Sequence, residues 1–173
     1  MLKELLPSVS RVAVLWDPSQ PTIAPRMGEA AAAAATLGVE IQSLPVNSPA
    51  ELAGAYRAAA EARAGAVMLT GSPIFNRNAA LLNGLEASIR LPTMYPGTVD
   101  AGQSGLIAYG ANNGDLVRRT VSYVDQILRG ANPADLPVQT PEKFDLRINL
   151  KTVQALGIAV PQSILVQATE IVR

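Results

Sequence analysis

The feature that most constrains the fold is a repeated alternation of a short apolar run with a longer helical segment. Residues 11–16 read RVAVLW, which is apolar throughout after the arginine and rich in β-branched side chains. This pattern is typical of a parallel strand that is covered on both faces. Residues 21–37 contain six consecutive alanines and are followed by Gly38, as expected for a helix with a glycine stop. The chain therefore opens with a strand and a crossover helix.

The same unit recurs along the next 60 residues or so. In the second unit, Ser48, Pro49 and Glu51 match a helix start, as N-cap, first helical residue and capping-box acid. Further strands are predicted over residues 39–46, 66–69 and 91–95, and further helices over residues 48–63 and 76–89. Strands and helices that alternate in this way predict right-handed crossovers and a mainly parallel sheet between two helical layers. The predicted fold class is therefore a three-layer α/β/α architecture.

The pattern changes after residue 95. Residues 96–105 read as a loop and residues 105–110 as a short strand, and a helix follows that ends at Gly130. The apolar stripe of this helix consists of Val117, Val121, Val124 and Leu128. Residues 131–142 hold three prolines and predict an extended connector. Residues 143–150 alternate like a strand with one buried face, and short helices are expected at 151–156 and 161–166.

The composition excludes several kinds of chemistry. The chain has no His and no Cys, which removes imidazole bases, thiolate nucleophiles and the commonest zinc ligands. Its 14 basic and 14 acidic residues cancel, so no basic surface is expected to bind nucleic acid. The turn WDPSQP after the first strand lacks a dinucleotide or phosphate-loop motif, so we expect no cofactor and no metal. No signal peptide and no membrane span are expected in this sequence.

Ligands of open parallel sheets bind beyond the carboxyl ends of the strands, which selects the loops to consider. Those loops carry hydroxyl, amide, carboxylate and aromatic groups suited to a small polar ligand. The predicted ligand-binding residues are Trp16, Asp17, Ser19, Thr70, Ser72, Tyr95, Tyr109, Asn112 and Asp115. The alternative for each is ordinary turn chemistry or helix capping, which is favoured for Asp115. Trp16 can point into a cleft or into the core, and at most one of Arg118 and Arg119 can face a site.

Three segments of the chain carry a resemblance to a known family: LLPSVSRVAVLWDPS, LPTMYP, and the long stretch from GLIAYG to QSIL. The long stretch places a strand, turn, helix, proline-rich crossover, strand and Leu-Gly-x-x-x-Pro close in that family's order. Together they resemble the C-terminal half of ABC transporter substrate-binding proteins of the tryptophan/tyrosine type, which have a type I periplasmic-binding-protein-like fold. The resemblance implies a clamshell of two lobes that traps a small molecule, such as an amino acid, for a membrane permease.

The same resemblance implies how the chain is divided and where it works. Residues 10–110 would make most of the second lobe, and residues 111–173 would supply the crossover and elements of the first lobe, whose first half is absent. The location would be periplasmic or lipid-anchored outside the cytoplasm, with no catalytic activity. The apolar stripe, left bare without the first lobe, predicts a homodimer. A sensory or regulatory binding module and, further behind, an enzyme lobe that uses carboxylates stay open as alternatives.

Overall fold

The computed structural model describes residues 1–97 and 105–173. The helices are α1 (Leu2–Leu5), α2 (Ile23–Leu37), α3 (Leu52–Glu61), α4 (Pro73–Arg77), α5 (Ala79–Ile89), α6 (Asn113–Leu128), α7 (Leu150–Leu156) and α8 (Gln162–Gln167). The strands are β1 (Arg11–Trp16), β2 (Glu40–Pro45), β3 (Ala66–Leu69), β4 (Thr93–Pro96), β5 (Ile107–Ala111), β6 (Phe144–Asn149) and β7 (Glu170–Val172). Most of the loop expected at 96–105 lies outside the described residues.

All seven strands belong to one sheet, in the order β2-β1-β3-β4-β5-β6-β7. The pairs from β2 to β5 are parallel, β5 and β6 are antiparallel, and β6 and β7 are parallel. The predicted mainly parallel α/β sheet is therefore confirmed, and the first three strands pair as expected. The antiparallel pair arises because the connector after α6 brings the chain back along the edge of β5.

Side chains of β1 alternate between two hydrophobic layers. Ala13 and Leu15 pack in a cluster with Tyr56 of α3 and Leu82 of α5. Val12 and Val14 face the opposite side, where Leu2, Leu6 and Met27 of the α1–α2 region pack against them. Because alternate residues of a strand point to opposite faces, a run that is apolar at every position requires helices on both sides. This is the physical origin of the three layers.

A third cluster lies around β5 and β6. Ile107, Leu146 and Ile148 from these strands are buried together with Leu5 of α1 and Ile164 of α8. The antiparallel register pairs Ile107 with Ile148, which places the returning segment directly against the parallel part of the sheet. Residues 144–172 therefore continue the sheet that residues 11–111 begin.

Local details differ from the sequence-based expectations at two helix starts. The helix predicted at 76–89 is two helices, because the chain breaks at Asn78 between α4 and α5. The side chain of Ser48 makes no capping bond to a backbone N–H, so the predicted capping box at that position is wrong. The Glu51 carboxylate instead accepts the Asn47 N–H at 2.9 Å, one residue earlier than expected. The short elements α1 and β7 were not predicted, since each is too short to show a periodic pattern.

Helix α6 projects from the sheet. Of its 16 residues only Asp115 is buried, and beyond the first turn Arg119 and Tyr123 hold the helix to the connector that follows it. Val117, Val121, Val124 and Leu128 are 61%, 60%, 51% and 81% exposed, which confirms that the predicted apolar stripe is bare in this chain. The homodimer expected from the stripe stays a prediction.

The ends of β4 and β5 approach so closely that one position excludes a side chain. A Cβ added to Gly110 would lie 2.5 Å from the Gly97 Cα and 2.8 Å from the Gly97 nitrogen. The Gly97 N–H also donates to the Tyr109 carbonyl at 2.8 Å, which holds the two backbones together. Backbone atoms cannot move aside as the tip of a flexible side chain can.

We therefore expect Gly110→Ala to lower the free energy of unfolding by about 1–3 kcal/mol, the usual range for overpacking. The matched control is Gly84→Ala in α5, where an added Cβ meets nothing within 4 Å. That substitution should instead stabilise the protein by about 0.5–1 kcal/mol. Urea denaturation followed by circular dichroism measures both, and a Gly110→Ala protein as stable as the wild type would contradict the close approach.

Candidate ligand-binding edge of the sheet

The five strands β1 to β5 end at the same edge of the sheet, because they run parallel. We call this edge, with the loops that leave it, the carboxyl edge; its strands end at Trp16, Pro45, Leu69, Pro96 and Ala111. Strand β6 runs the other way and therefore begins at this edge, at Phe144.

Asp17, the first residue after β1, is a buried carboxylate that joins two loops. Its Oδ1 accepts hydrogen bonds from the Ser19 N–H at 2.9 Å and the Ser19 hydroxyl at 2.7 Å. Its Oδ2 accepts from the Ser72 hydroxyl at 2.6 Å and from Gln20 at 3.2 Å. Ser72 also accepts the Ile74 N–H at 3.0 Å, which caps α4. Three of the predicted site residues thus come together, and their polar groups bond mainly to one another.

These contacts determine the charge state of Asp17. Burial alone would raise the pKa of its carboxyl, but hydrogen bonds from Ser72, Ser19 and Gln20 outweigh burial and lower the pKa from 3.8 to about 2. The carboxylate is therefore ionised across the physiological range. Its role in the structure is to join the loop after β1 to the start of α4.

Trp16 and Thr70 lie on the same side of the carboxyl edge. The Trp16 indole is half-buried, and its N–H donates to the Ser43 hydroxyl of edge strand β2 at 2.8 Å. The indole therefore lies over the β2 border of the sheet and outside the central core. The Thr70 hydroxyl donates to the Leu15 carbonyl at 3.2 Å and ties the end of β3 to β1.

Arg26 of α2 is a cation at this edge that the sequence analysis did not single out. A Cβ added to Gly71 would lie 3.7 Å from its Nη1 atom, so the guanidinium lies beside the loop after β3. Arg26 is exposed, and within residues 1–97 and 105–173 it forms no ion pair. Sequence alone could not find it, because only the packing of α2 on the sheet brings it to Gly71.

Tyr109 at the end of β5 stacks on Phe144 at the start of β6, with ring centroids 5.5 Å apart and planes 11° apart. Phe144 is 46% exposed, so one aromatic pair is available to solvent at the carboxyl edge. The strand pairing makes this contact, since Ala111 lies opposite Phe144 and Tyr109 opposite Leu146. The sequence pattern had assigned Phe144 to a buried face, which is wrong because the face opens where β6 begins.

Asn112 and Asp115 organise the first turn of α6. Asn112 accepts the Asp115 N–H at 2.7 Å as N-cap, and its amide donates to Asp145 at 2.9 Å. The Asp115 carboxylate lies 3.0 Å from the Lys143 ammonium and 2.9 Å from Arg119. The hydrogen bond from Lys143, followed by that from Arg119, lowers the pKa of Asp115, although burial acts in the opposite direction. The capping role expected for Asp115 is therefore wrong, because Asn112 is the N-cap and the Asp115 carboxylate forms ion pairs instead.

Tyr95 points away from solvent. Its hydroxyl donates to the buried carboxylate of Glu86, which also accepts the Tyr56 hydroxyl at 3.4 Å. The Tyr56 and Thr93 hydroxyls share a further hydrogen bond of 3.1 Å. Burial raises the pKa of the Tyr56 hydroxyl far above its usual range, and the nearby charge of Glu86 adds to this. The Tyr95 side chain therefore belongs to a polar cluster in the core beneath α5.

The predicted site residues that remain at the carboxyl edge form two groups. One group lies in the loops after β1 and β3, and the other lies at the end of β5 and the start of α6. Strands β3 and β1 are the second and third neighbours of β5 in the sheet, so the groups are about 10–14 Å apart at a strand spacing near 4.8 Å. A small ligand that contacts both groups would have to span this distance, so the edge offers two separate sets of contacts.

Residues 1–97 and 105–173 lack two further features. No group of three or more acidic side chains there is arranged to hold a metal ion. In the same residues, no helix combines the length and apolar character that a membrane crossing requires.

A mainly parallel sheet with polar and aromatic loops at its carboxyl edge is an architecture that many α/β ligand-binding proteins share. The model of the family described as ABC transporter substrate binding protein matches residues 1–172. The chain belongs to this family, and the resemblance found in the sequence is confirmed. A search of curated proteins gave no significant match.

Solved structures show the same fold. A conserved domain protein from Vibrio cholerae O1 biovar El Tor is 24% identical with a TM-score of 0.87, over 98% of this chain and 57% of its own. An ABC domain in complex with L-Trp from Streptococcus pneumoniae is 25% identical with a TM-score of 0.86. The match covers 99% of this chain and 59% of that protein. A ligand-free, open substrate binding protein with adhesive properties from Clostridium difficile is 16% identical with a TM-score of 0.76. The match covers 99% of this chain and 57% of that protein. The chain thus spans less than two thirds of these proteins.

The network around Asp17 generates a prediction about stability and pH. We expect Asp17→Asn to lower the free energy of unfolding at pH 7 by about 2 kcal/mol, since charge-assisted hydrogen bonds are lost. The pKa of Asp17 is lower in the folded protein, about 2 against 3.8. Its stabilisation is therefore complete above about pH 4 and is lost as the pH falls towards 2.

The difference between wild type and Asp17→Asn should accordingly shrink over that acidic range, as measured by chemical denaturation at several pH values. Asp125→Asn is the matched control, because Asp125 forms only an exposed pair with Arg129 at 2.9 Å. Its effect should stay below about 1 kcal/mol. Equal effects of the two substitutions at pH 7 would contradict the structural role of Asp17.

Proposed function

We propose that this chain is part of the solute-binding component of an ABC import system, and that its carboxyl edge forms one side of the site that captures the solute. The observation that carries this proposal is the placement of polar and aromatic loops at one edge of a mainly parallel sheet, in a chain of the ABC substrate-binding family. The edge is open to solvent on the side of Arg26 and Phe144. An open half-site is what one lobe of a clamshell would present.

The proposed division of the chain follows from the packing of α6. Residues 10–110, joined by β6 and β7 of the same sheet, would form most of one lobe, and within residues 111–173 α6 and its connector would belong to the crossover to a second lobe. The bare stripe of α6 supports this, because four apolar side chains on one helix face are left without partners in the described residues. The ion pairs of Asp115 with Arg119 and Lys143 anchor the base of the helix, so its stripe would be presented to the second lobe in a fixed direction.

For the solute we propose a small molecule with a carboxylate, of which an amino acid is the first candidate. The guanidinium of Arg26 forms no ion pair within the described residues, and it would bind that carboxylate through two parallel hydrogen bonds. The ring pair Tyr109–Phe144 offers an aromatic surface, and Trp16 offers another at the opposite side. The L-Trp complex of the Streptococcus pneumoniae relative supports testing aromatic amino acids first.

The remaining parts of the proposal follow from the family. The solute would be passed to an ABC permease, the protein would work outside the cytoplasm in the periplasm or on a lipid anchor, and it would not be an enzyme. The absence of His and Cys from the sequence supports the last point, since it removes the commonest bases and nucleophiles.

The ligand proposal predicts thermal stabilisation by amino acids in a natural form of the protein that includes both lobes. At 100 times Kd, a ligand bound only to the folded state adds about 2.7 kcal/mol. Arg26→Ala should weaken binding by about tenfold or more, since a charge-assisted hydrogen bond is lost. Arg57→Ala is the matched control, because Arg57 lies on exposed α3 surface and should leave affinity unchanged. Equal affinities for both variants would contradict the assignment of Arg26.

The proposal for α6 predicts different effects of one substitution in two contexts. In the 173-residue chain, Val121→Ser should change the free energy of unfolding by less than about 0.5 kcal/mol, because Val121 is exposed. In a form with both lobes it should destabilise by about 1 kcal/mol or more, because a buried apolar contact is lost. Ser122→Ala on the exposed side is the control. If Val121→Ser does not destabilise the two-lobe form, the proposed contact between α6 and the second lobe is refuted. Sedimentation of the 173-residue chain shows separately whether the stripe pairs two copies.

A further inference from the structure

A cavity separates α2 from the sheet, on the face opposite α3 and α5. It has a volume of about 250 Å³ and is open to solvent at one side. The residues that line it are Leu2, Lys3, Val9, Val12, Val14, Ala30, Ala33, Ala34, Leu37, Val39, Ile41 and Met68. Val9 and Val12 lie at or before the start of β1, so the cavity lies towards the amino ends of the strands. It is therefore at the end of the sheet opposite the carboxyl edge.

The alanine run of α2 explains why the cavity exists. Ala30, Ala33, Ala34 and Leu37 are spaced along one helix face that borders the cavity, with Ala34 buried against the sheet and Ala33 and Leu37 exposed at the rim. Each alanine offers a single methyl group, which is too short to reach side chains such as Val14 across the layer. Protein interiors are normally packed without gaps larger than a water molecule. A helix that presents alanines where a core usually has larger side chains leaves space for a ligand.

The size and lining of the cavity define the ligand. An apolar cavity of about 150 Å³ can hold benzene, so 250 Å³ corresponds to about ten non-hydrogen atoms. Eleven of the twelve lining residues are apolar, and an apolar chain or ring in the cavity would remove them from water. A polar ligand would lose its hydrogen bonds to water there without finding partners.

Lys3 adds one requirement for the ligand, which is a polar group at one end. It is the one charged residue among those that line the cavity. Its ammonium donates to the Val9 carbonyl at 2.6 Å, which directs the side chain across the cavity and uses one of three N–H donors. In residues 1–97 and 105–173, Lys3 forms no ion pair. Two donors therefore remain for an anionic group at the end of an apolar ligand.

From this geometry we propose a second binding site, between α2 and the amino ends of the strands, for a small apolar carboxylate such as a medium-chain fatty acid. The apolar part would fill the space left by the alanines, and the carboxylate would pair with Lys3. The site shares no residue with the carboxyl edge, so it does not depend on the proposed capture of a solute there.

Octanoate, with ten non-hydrogen atoms, is the probe, and isothermal titration calorimetry of the 173-residue chain is the measurement. We expect saturable binding of one octanoate per chain and much weaker binding of butyrate, which fills less of the cavity. Lys3→Gln should weaken octanoate binding by about fivefold, the size of a partly exposed ion pair. The affinity for octanol should change less than twofold in the same variant, because octanol is uncharged and forms no ion pair with Lys3.

A second set of variants tests the proposal by filling the cavity with a larger side chain. Ala34→Leu places a larger side chain in the cavity and should abolish octanoate binding, and Ala32→Leu on the exposed side of the same helix should leave binding intact. If Ala34→Leu fails to fold by circular dichroism, Ala30→Leu fills the same cavity from its partly exposed end.

The proposal is overturned if octanoate does not bind the wild-type chain, if Ala32→Leu and a folded cavity-filling variant bind equally well, or if Lys3→Gln weakens octanol as much as octanoate. Arg26→Ala should not alter octanoate binding, and a loss of amino-acid binding in that variant would concern only the carboxyl edge. The outcomes for the two sites are therefore separable.

Discussion

Strand β1 is hydrogen-bonded on both edges and covered on both faces, and the rest of the structure depends on it. It pairs in parallel with β2 and β3, and its four central residues are buried. Its two-sided burial requires a helical layer above and below, and its parallel pairing brings the carboxyl ends of neighbouring strands to one edge. The apolar run at residues 11–16 therefore explains why the polar loops lie together at that edge.

The carboxyl edge separates residues that maintain the scaffold from residues that are free to bind. Asp17 is charged, but Ser19, Gln20 and Ser72 already supply its hydrogen bonds, so it can offer little to a ligand. Asp115 is similarly occupied by cations of its own chain. Such buried, satisfied carboxylates stiffen the loops, and recognition is left to groups that face solvent. Arg26 and the Tyr109–Phe144 pair are the strongest of these in the described residues.

The return of the chain through β6 completes this edge. The antiparallel pairing of β6 with β5 places Phe144 beside Tyr109, and it brings Lys143 next to Asp115 at the base of α6. One strand thus provides an aromatic contact and fixes the direction of the projecting helix. On the other face of the sheet, short alanine side chains of α2 leave a cavity instead of a filled layer. Both features arise from how the helices and strands are assembled.

The sequence by itself determined the strands β1 to β5, the crossover helices and the mainly parallel sheet, because apolar periodicity and glycine stops are local signals. The family followed from the resemblance of three segments to its members. The sequence also identified the loops at the carboxyl edge, but not the ion pairs that the Asp115 carboxylate forms in place of a capping bond. Only the tertiary structure decided that Tyr95 turns inward to Glu86, that Asp17 is saturated by Ser72, and that Arg26 reaches the loop at Gly71. These contacts join residues far apart in the chain, and their geometry follows from strand register and helix placement, which periodicity does not encode.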